Sequence, residues 1–243
     1  MTRDHDLDVL AIFAHPDDAE LLCGGSLIRS ADLGERVGIL DLTRGELGSR
    51  GTPEIRAEEA AQAARIMGVQ TRETGGLPDG EIVDGPSTRR LVASRIRGLR
   101  PRVVVTHWIR SRHPDHRAAA ELVYSACFMA GLKNFEAEGA AWRPAKIVHA
   151  TAFREDAPRP TFVLDVTGQM DRKLEAVECF ASQFAGNAAA GEVLPGGERP
   201  LVDQIRAQCA HYGSLIRAEY GEPFWTRETL EMPSLGTLPV SSF

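Results

Sequence analysis

The order of segments in the first part of the chain constrains the fold more strongly than any single residue. Residues 9–13 form a continuous apolar run, and residues 37–43 form a second, mostly apolar run. Residues 19–33 between them have the composition of a helix, and Gly34 follows where such a helix would end. A strand, a helix and a strand in this order predict two parallel strands joined by a right-handed crossover. Gly24 and Gly25 within the helix are expected to allow the close approach of a neighbouring element.

The rest of the chain continues this alternation. Thr52 is predicted to cap a helix that runs to Gly68, and Ser87 is predicted to cap another helix that Pro101 ends. The remaining predicted elements are strands at 102–106, 146–153 and 161–166 and helices at 117–130, 170–184 and 200–220. Because no internal repeat is present, we expect residues 1–243 to form a single α/β domain with a mostly parallel, Rossmann-like sheet and helices on both faces.

One stretch has no predicted element. Residues 186–197 are rich in Gly, Ala and Pro. We interpret them as a mobile loop or lid rather than a linker between domains, because the helix that follows is amphipathic and needs a core to cover.

The composition excludes several classes of protein. The net charge is −6 and the Lys and Arg residues are spread along the chain, so we expect neither nucleic acid nor an anionic membrane as a partner. No apolar run approaches the roughly 20 residues that span a bilayer, and the N-terminus lacks a signal-peptide pattern, so we expect a cytoplasmic protein. The four cysteines are widely spaced without a Cys-x-x-Cys pair and are expected to be free and buried.

Directly after the first apolar run, the chain places one imidazole and three carboxylates within a few residues. The stretch is Ala14-His15-Pro16-Asp17-Asp18-Ala19-Glu20. Ionised groups beside a buried strand must be paired, hydrogen-bonded or bound to a cation, and a divalent metal meets that need. Taken alone, the stretch would fit equally well a solvated loop with an aspartate as helix cap.

A second cluster follows another strand-like run. His113-Pro114-Asp115-His116 comes shortly after residues 102–106. Taken alone, it fits a turn at the start of a helix with a hydrogen-bonded histidine. Because the carboxyl ends of parallel strands meet at one edge of a sheet, we expect the two clusters to converge there, where open α/β folds bind ligands.

The residue types in the two clusters suit a catalytic zinc site, which needs three protein ligands and an open position for water. Two histidines and one carboxylate would bind the metal, which lowers the pKa of its water. Adjacent residues point in different directions, so we expect one of Asp17 and Asp18 to bind the metal and the other to take a proton from the water. The same argument divides His113 from His116, and the residues alone do not decide which is which. The other histidines are interpreted by default as core or surface residues, namely His5, His107, His149 and His211.

The two clusters, in this order, resemble the signature motifs of the PIG-L/LmbE-like zinc-dependent N-deacetylases. These enzymes hydrolyse the acetamide of compounds that contain N-acetylglucosamine. The resemblance extends to residues 43–52, 77–80, 212–216 and 220–224. Within the family, the chain is most similar to the bacillithiol-biosynthesis deacetylases, which act on N-acetylglucosaminyl-malate.

The resemblance implies a role for seven residues. They are His15, Asp18 and His116 as zinc ligands, Asp17 as general base, His113 as the acid that also stabilises the oxyanion, and Arg50 and Asp79 as contacts to the sugar or its aglycone. It also implies a zinc cofactor, with another divalent metal such as Fe²⁺ as the alternative, a small-molecule substrate of the N-acetylglucosamine type, and a homo-oligomer.

Three other functions compete with this interpretation. The first is deacetylation of a different glucosamine conjugate, such as a mycothiol precursor, a chitooligosaccharide or an antibiotic intermediate. The second is a metal-dependent phosphoesterase, which would usually need a more carboxylate-rich, two-metal cluster. The third is a non-catalytic module that binds a sugar or a metal.

Overall fold

Seven strands form one sheet in the computed structural model, which describes residues 5–152, 158–185 and 199–237. The strands are β1 (Leu7–Phe13), β2 (Val37–Asp41), β3 (Thr71–Thr74), β4 (Pro101–His107), β5 (Lys146–Ala150), β6 (Phe162–Asp165) and β7 (Gly221–Trp225). Their order across the sheet is β3-β2-β1-β4-β5-β7-β6. The first five are parallel, and β7 runs antiparallel to both β5 and β6. The predicted α/β fold with a mostly parallel sheet is confirmed.

Helices cover both faces of the sheet. They are α1 (Asp18–Asp32), α2 (Pro53–Met67), α3 (Pro86–Leu99), α4 (Pro114–Ala130), α5 (Met170–Glu178), α6 (Ala181–Phe184) and α7 (Leu201–Ser214). Leu10 and Ile12 of β1 pack with side chains of α3 and α4, whereas Ala11 and Phe13 pack with side chains of α1 and α2. The alternation of β1 side chains between two cores explains its continuous apolar sequence. No helix among the described residues is long and apolar enough to cross a membrane.

The boundaries of several elements differ from the prediction. Helix α3 begins at Pro86 with Gly85 at its N-cap, so Ser87 lies inside the helix and the hydroxyl of Thr88 accepts from the Gly85 N–H instead. Helix α4 begins at Pro114, three residues before the predicted start, because proline is favoured in the first turn. The helix predicted at 170–184 is two helices, α5 and α6, and the one predicted at 200–220 ends at Ser214.

Two strands were missed, one predicted strand is shorter than expected, and one predicted loop is not described. The short edge strand β3 and the antiparallel strand β7 were not predicted. Strand β7 has Pro223 in its middle, and proline is rare inside strands. The strand predicted at 146–153 ends at Ala150. The proposed loop or lid at 186–197 lies outside the described residues.

Candidate active site

The two motifs meet because β1 and β4 are neighbours in the sheet. The strands are parallel, with Val9 opposite Val103, so both end at the same edge. Strand β1 leads into residues 14–17 and then α1, and β4 leads into residues 108–113 and then α4. Both helices therefore begin at the carboxyl edge of the sheet, as the sequence predicted.

Three side chains from these segments converge on one point. The Nδ1 atom of His15 lies 3.2 Å from Oδ2 of Asp18 and 3.3 Å from Nε2 of His116. The Nε2 atom of His116 lies 3.2 Å from Oδ1 of Asp18. We call these three residues the donor set, because two imidazole nitrogens and a carboxylate oxygen so close together match the ligands that zinc takes. The backbone N–H of His15 donates to Oδ2 of Asp18 at 2.8 Å and holds the carboxylate in place.

The outer nitrogen of His15 contacts two further carboxylates. Its Nε2 atom lies 3.1 Å from Oδ1 of Asp79 and 3.4 Å from Oδ2 of Asp115. These acceptors favour a proton on Nε2, which leaves the Nδ1 lone pair for a metal. Burial lowers the pKa of His15, but hydrogen bonds to the surrounding carboxylates, led by Asp115, outweigh burial and raise it to about 12. The surroundings favour a positive charge here, so the donor set fits a divalent cation.

Asp17 lies beside the donor set in an unusual backbone conformation. Its φ of 111° lies in the left-handed region, which costs a residue with a side chain about 1–3 kcal/mol. Its Oδ2 atom accepts a hydrogen bond of 2.8 Å from Nη2 of Arg56, which also donates to the carbonyl of Pro16. Burial raises the pKa of Asp17 to about 7, although the Arg56 guanidinium opposes this. A carboxyl group with a pKa near neutrality is suited to general base catalysis.

His113 is the N-cap residue of α4 and lines the same cavity as the donor set. Its Nδ1 atom accepts a hydrogen bond of 3.2 Å from the N–H of Asp115. In the neutral imidazole the proton is therefore on Nε2. Burial lowers the pKa of His113, and the neighbouring His116 lowers it further. The ring can donate a hydrogen bond from Nε2 to an oxygen atom in the cavity.

A cavity of about 540 Å³ lies over the donor set, a size typical of small-molecule sites. Polar groups and apolar side chains both line it. Among them are Asp17, His113, Arg112, Leu21, Leu22 and Trp108. Apolar walls with a few convergent polar groups are the usual composition of an enzyme site.

Of the two residues predicted to contact the substrate, one lines the cavity and the other does not. Asp79 lines the cavity, but its Oδ1 contacts His15 and its Oδ2 accepts from the N–H of Leu47 at 2.9 Å. Arg50 is exposed and does not line the cavity; its Nη1 donates to the carbonyl of Ala185 at 3.3 Å. Arg50 directly follows Ser49, which does line the cavity.

Two residues of the site were missed by the sequence analysis. Arg56, on α2, is buried and reaches Asp17. His107, which was interpreted as a core or surface histidine by default, is stacked on His116 with ring centroids 3.9 Å apart. Its Nε2 atom accepts from the N–H of Ala14 at 2.9 Å, and burial lowers its pKa to about 3. The position of His107 at the end of a predicted strand was a signal for its place in the site, whereas no local pattern marked Arg56.

The chain is similar in sequence and in fold to several known proteins. The PIG-L family, described as GlcNAc-PI de-N-acetylase, matches residues 10–127. The diacetylchitobiose deacetylase of Thermococcus kodakarensis is 32% identical over 188 residues, covering 72% of this chain and 70% of that protein. A probable N-acetyl-alpha-D-glucosaminyl L-malate deacetylase 2 of Bacillus anthracis is 28% identical over 192 residues, covering 73% of this chain and 81% of that protein. The crystal structure of the conserved protein TT1542 from Thermus thermophilus has a TM-score of 0.84 and 39% identity, covering 93% of this chain and 98% of that chain.

The region that matches the family contains both motifs. The donor set, Asp17 and His113 all lie within residues 10–127. The similarity to the archaeal deacetylase extends over most of both chains. The chain therefore belongs to the PIG-L family of de-N-acetylases and is an amidohydrolase.

Proposed function

We propose that the protein removes the acetyl group from an N-acetylglucosamine conjugate, and that this conjugate is N-acetylglucosaminyl-malate. The observation that carries the proposal is the convergence of His15, Asp18 and His116 at a cavity that Asp17 and His113 also line. The names of two relatives support the class of substrate, since one is a diacetylchitobiose deacetylase and the other a probable N-acetyl-alpha-D-glucosaminyl L-malate deacetylase.

In this proposal the donor set holds one zinc ion, with Fe²⁺ as the alternative. A divalent metal bound there supplies a polarised acetyl carbonyl and a water of lowered pKa. The protein's own groups then handle the protons. Asp17, whose carboxylate is fixed by Arg56, takes a proton from the attacking water.

His113 acts on the other side of the reaction. Its Nε2–H donates a hydrogen bond to the acetyl oxygen as negative charge grows there. Its lowered pKa keeps the ring neutral before substrate enters, with the single ring proton on Nε2, where it can donate to this oxygen. His113 takes up a proton from solvent as negative charge grows beside it and gives its Nε2 proton to the leaving nitrogen. Asp17 releases to solvent the proton it took from the water, so that water and amide become acetate and a free amine.

Charge supports the malate aglycone. Arg112 is exposed and lines the cavity, and Arg50 is exposed beside Ser49 at the same cavity. Guanidinium groups form strong, charge-assisted hydrogen bonds with carboxylates. The two carboxylates of malate would therefore gain affinity from these arginines, whereas a neutral aglycone would not. We assign the sugar hydroxyls to Asp79, whose carboxylate oxygens have lone pairs beyond those that His15 and Leu47 use.

The test is acetate release from N-acetylglucosaminyl-malate, an inositol conjugate of N-acetylglucosamine and diacetylchitobiose. The protein is first stripped by a chelator and then loaded with one equivalent of zinc or Fe²⁺. We expect metal-restored turnover, with kcat/KM for the malate conjugate at least about tenfold above the others. A preference for another conjugate would overturn the malate assignment alone. No acetate from any of the three would overturn the proposed substrate class.

The role of charge in the aglycone site has its own test. Arg50→Ala and Arg112→Ala are expected to raise KM for the malate conjugate more than KM for diacetylchitobiose. Equal effects on both substrates would contradict an anionic aglycone.

A further inference from the structure

Helix α1, whose first turn contains Asp18, is broken in the middle. It spans Asp18–Asp32, but Cys23 has φ −148° and ψ 21°, which are not helical. A break leaves carbonyl oxygens at the end of the first segment and N–H groups at the start of the second without partners in the helix. Because α1 is buried at the break, these groups need partners elsewhere in the protein.

A buried ion pair supplies partners on both sides of the break. The Nζ atom of Lys173, on α5, donates to the carbonyl oxygen of Leu21 at 2.9 Å. Glu222, on β7, accepts from the N–H of Gly25 at 2.9 Å and from the N–H of Ser26 at 2.7 Å. Lys173 Nζ and Glu222 Oε1 are 2.5 Å apart, and both side chains are fully buried. The cation thus faces the carbonyl end of one segment and the carboxylate faces the amide end of the other, as helix dipoles favour.

The glycines at the break make room for the pair. A Cβ atom on Gly25 would lie 2.9 Å from Cβ of Val166 and 3.1 Å from Oε1 of Glu222. A Cβ atom on Gly24 would lie 3.4 Å from Cγ of Lys173. The sequence predicted that these two glycines allow a close neighbour. That neighbour is Val166, which follows β6, together with the ion pair of Lys173 and Glu222.

The first segment of α1, residues 18–22, connects the ion pair to the active site. It contains the donor residue Asp18, and its Leu21 and Leu22 side chains line the cavity. On another flank, Arg72 contacts Glu20 of the same segment at 2.5 Å. A shift of this turn would move a metal donor and the cavity wall together.

We propose that Lys173 and Glu222 are positioning residues for Asp18. By fixing the first segment of α1 against the second, they set the place of the Asp18 carboxylate relative to His15 and His116. The inference rests on the metal site of the proposed function, and it is tested by metal affinity, which needs no substrate. A pair that only stabilised the fold would affect unfolding and leave the metal affinity of the folded protein unchanged.

The test compares the wild-type protein with a double variant, Lys173→Met with Glu222→Gln. This variant removes both charges together and so avoids leaving either one buried and unpaired. Zinc affinity is measured by chelator competition, and the geometry of the site by the visible spectrum of the Co²⁺ form, well below the unfolding temperature. We expect zinc affinity to fall about tenfold or more and the Co²⁺ spectrum to change.

Arg97→Met is the matched control. Arg97 is a buried cation of α3 that donates to the carbonyl oxygens of Ala130, Leu132 and Ala137. Arg97→Met removes a buried cation from backbone carbonyls, as Lys173→Met does, but at the end of α4 and in the residues after it rather than at the break of α1. We expect lowered stability with wild-type zinc affinity and an unchanged Co²⁺ spectrum.

The outcomes separate this inference from the proposed function. Wild-type zinc affinity in the folded double variant would overturn the inference alone, as would an equal loss of affinity in Arg97→Met. If the double variant does not fold, Glu222→Asp replaces it, because this change keeps the charge on a side chain shorter by one methylene. Weaker zinc binding by Glu222→Asp supports the inference, and wild-type zinc binding overturns it. A wild-type protein that binds no zinc would overturn the metal site and the inference with it.

Discussion

Asp17 combines a left-handed backbone, a buried carboxyl group and an arginine partner in one residue. Such strain is retained where the surrounding structure fixes it, and here it places the carboxylate beside the donor set. Asp17→Asn keeps the shape of the side chain and removes the base. We expect kcat to fall about 10²–10⁴-fold while zinc binding is retained, measured by acetate release and metal content.

The matched control for this change is Asp203→Asn, at an exposed position in the first turn of α7. It is expected to keep the wild-type kcat. An Asp17→Asn protein with near wild-type turnover would exclude Asp17 as the base.

His107 links the end of β4 to the first motif through its bond from the N–H of Ala14. Replacing it with leucine leaves a buried backbone donor without an acceptor, which costs about 1–3 kcal/mol. We expect His107→Leu to lower the free energy of unfolding by that amount in the metal-free protein, measured in urea. His211→Leu, at an exposed position on α7, is expected to change it by less than about 0.5 kcal/mol. Equal stabilities of the two variants would contradict the importance of this hydrogen bond.

At the level of residues, the sequence pattern predicted which side chains meet, whereas the role of each was predicted from the family resemblance alone. The structure adds two contacts that fit the predicted roles, because Arg56 binds Asp17 and the N–H of Asp115 occupies one nitrogen of His113. Arg56 itself was not predictable, since its place depends on how α2 packs over the sheet edge.

Elements with strong local signals were predicted well. Helix α2 has the expected hydroxyl cap, with Thr52 Oγ1 accepting from the Ile55 N–H, and Gly68 ends it with φ 73°. Strand β7 was missed because it is short, contains a proline and is stabilised by pairing with β5 and β6, which are distant in sequence. Local pattern therefore identified the strands that have an apolar run and missed β3 and β7, which lack one.

Three elements are tied together by Arg72 of β3. It contacts Glu20 of α1 and donates to both oxygens of Asp41 at the end of β2, and both acids are buried. Arg72→Met would leave two buried carboxylates without their cation, so we expect a loss of about 3–5 kcal/mol in the free energy of unfolding.

An exposed ion pair provides the comparison for Arg72. Arg44 and Glu54 are 51% and 72% exposed, so Arg44→Ala is expected to cost less than about 1 kcal/mol. Urea unfolding measures both variants. Similar losses in the two would show that the Arg72 cluster stabilises no more than a surface pair.

For the molecule as a whole, the donor set joins segments that only the complete sheet brings together. His15 and Asp18 follow β1 and His116 follows β4, so the three donors cannot meet in an unfolded chain. A metal bound by the donor set, as proposed, would therefore be linked to folding, because a ligand that binds the folded state alone stabilises it.

This linkage predicts how the metal changes thermal stability. Free zinc at about 100 times its dissociation constant should add about 2.7 kcal/mol, which for a chain of this size corresponds to a rise in Tm of about 5–10 °C. Differential scanning calorimetry of the chelated and zinc-loaded protein measures the shift. His116→Ala removes one donor and should reduce the shift strongly, whereas Asp17→Asn, which keeps all three donors, should retain it. A shift that is equal in His116→Ala and the wild type would mean that zinc stabilises the protein at some other place than the edge where β1 and β4 end.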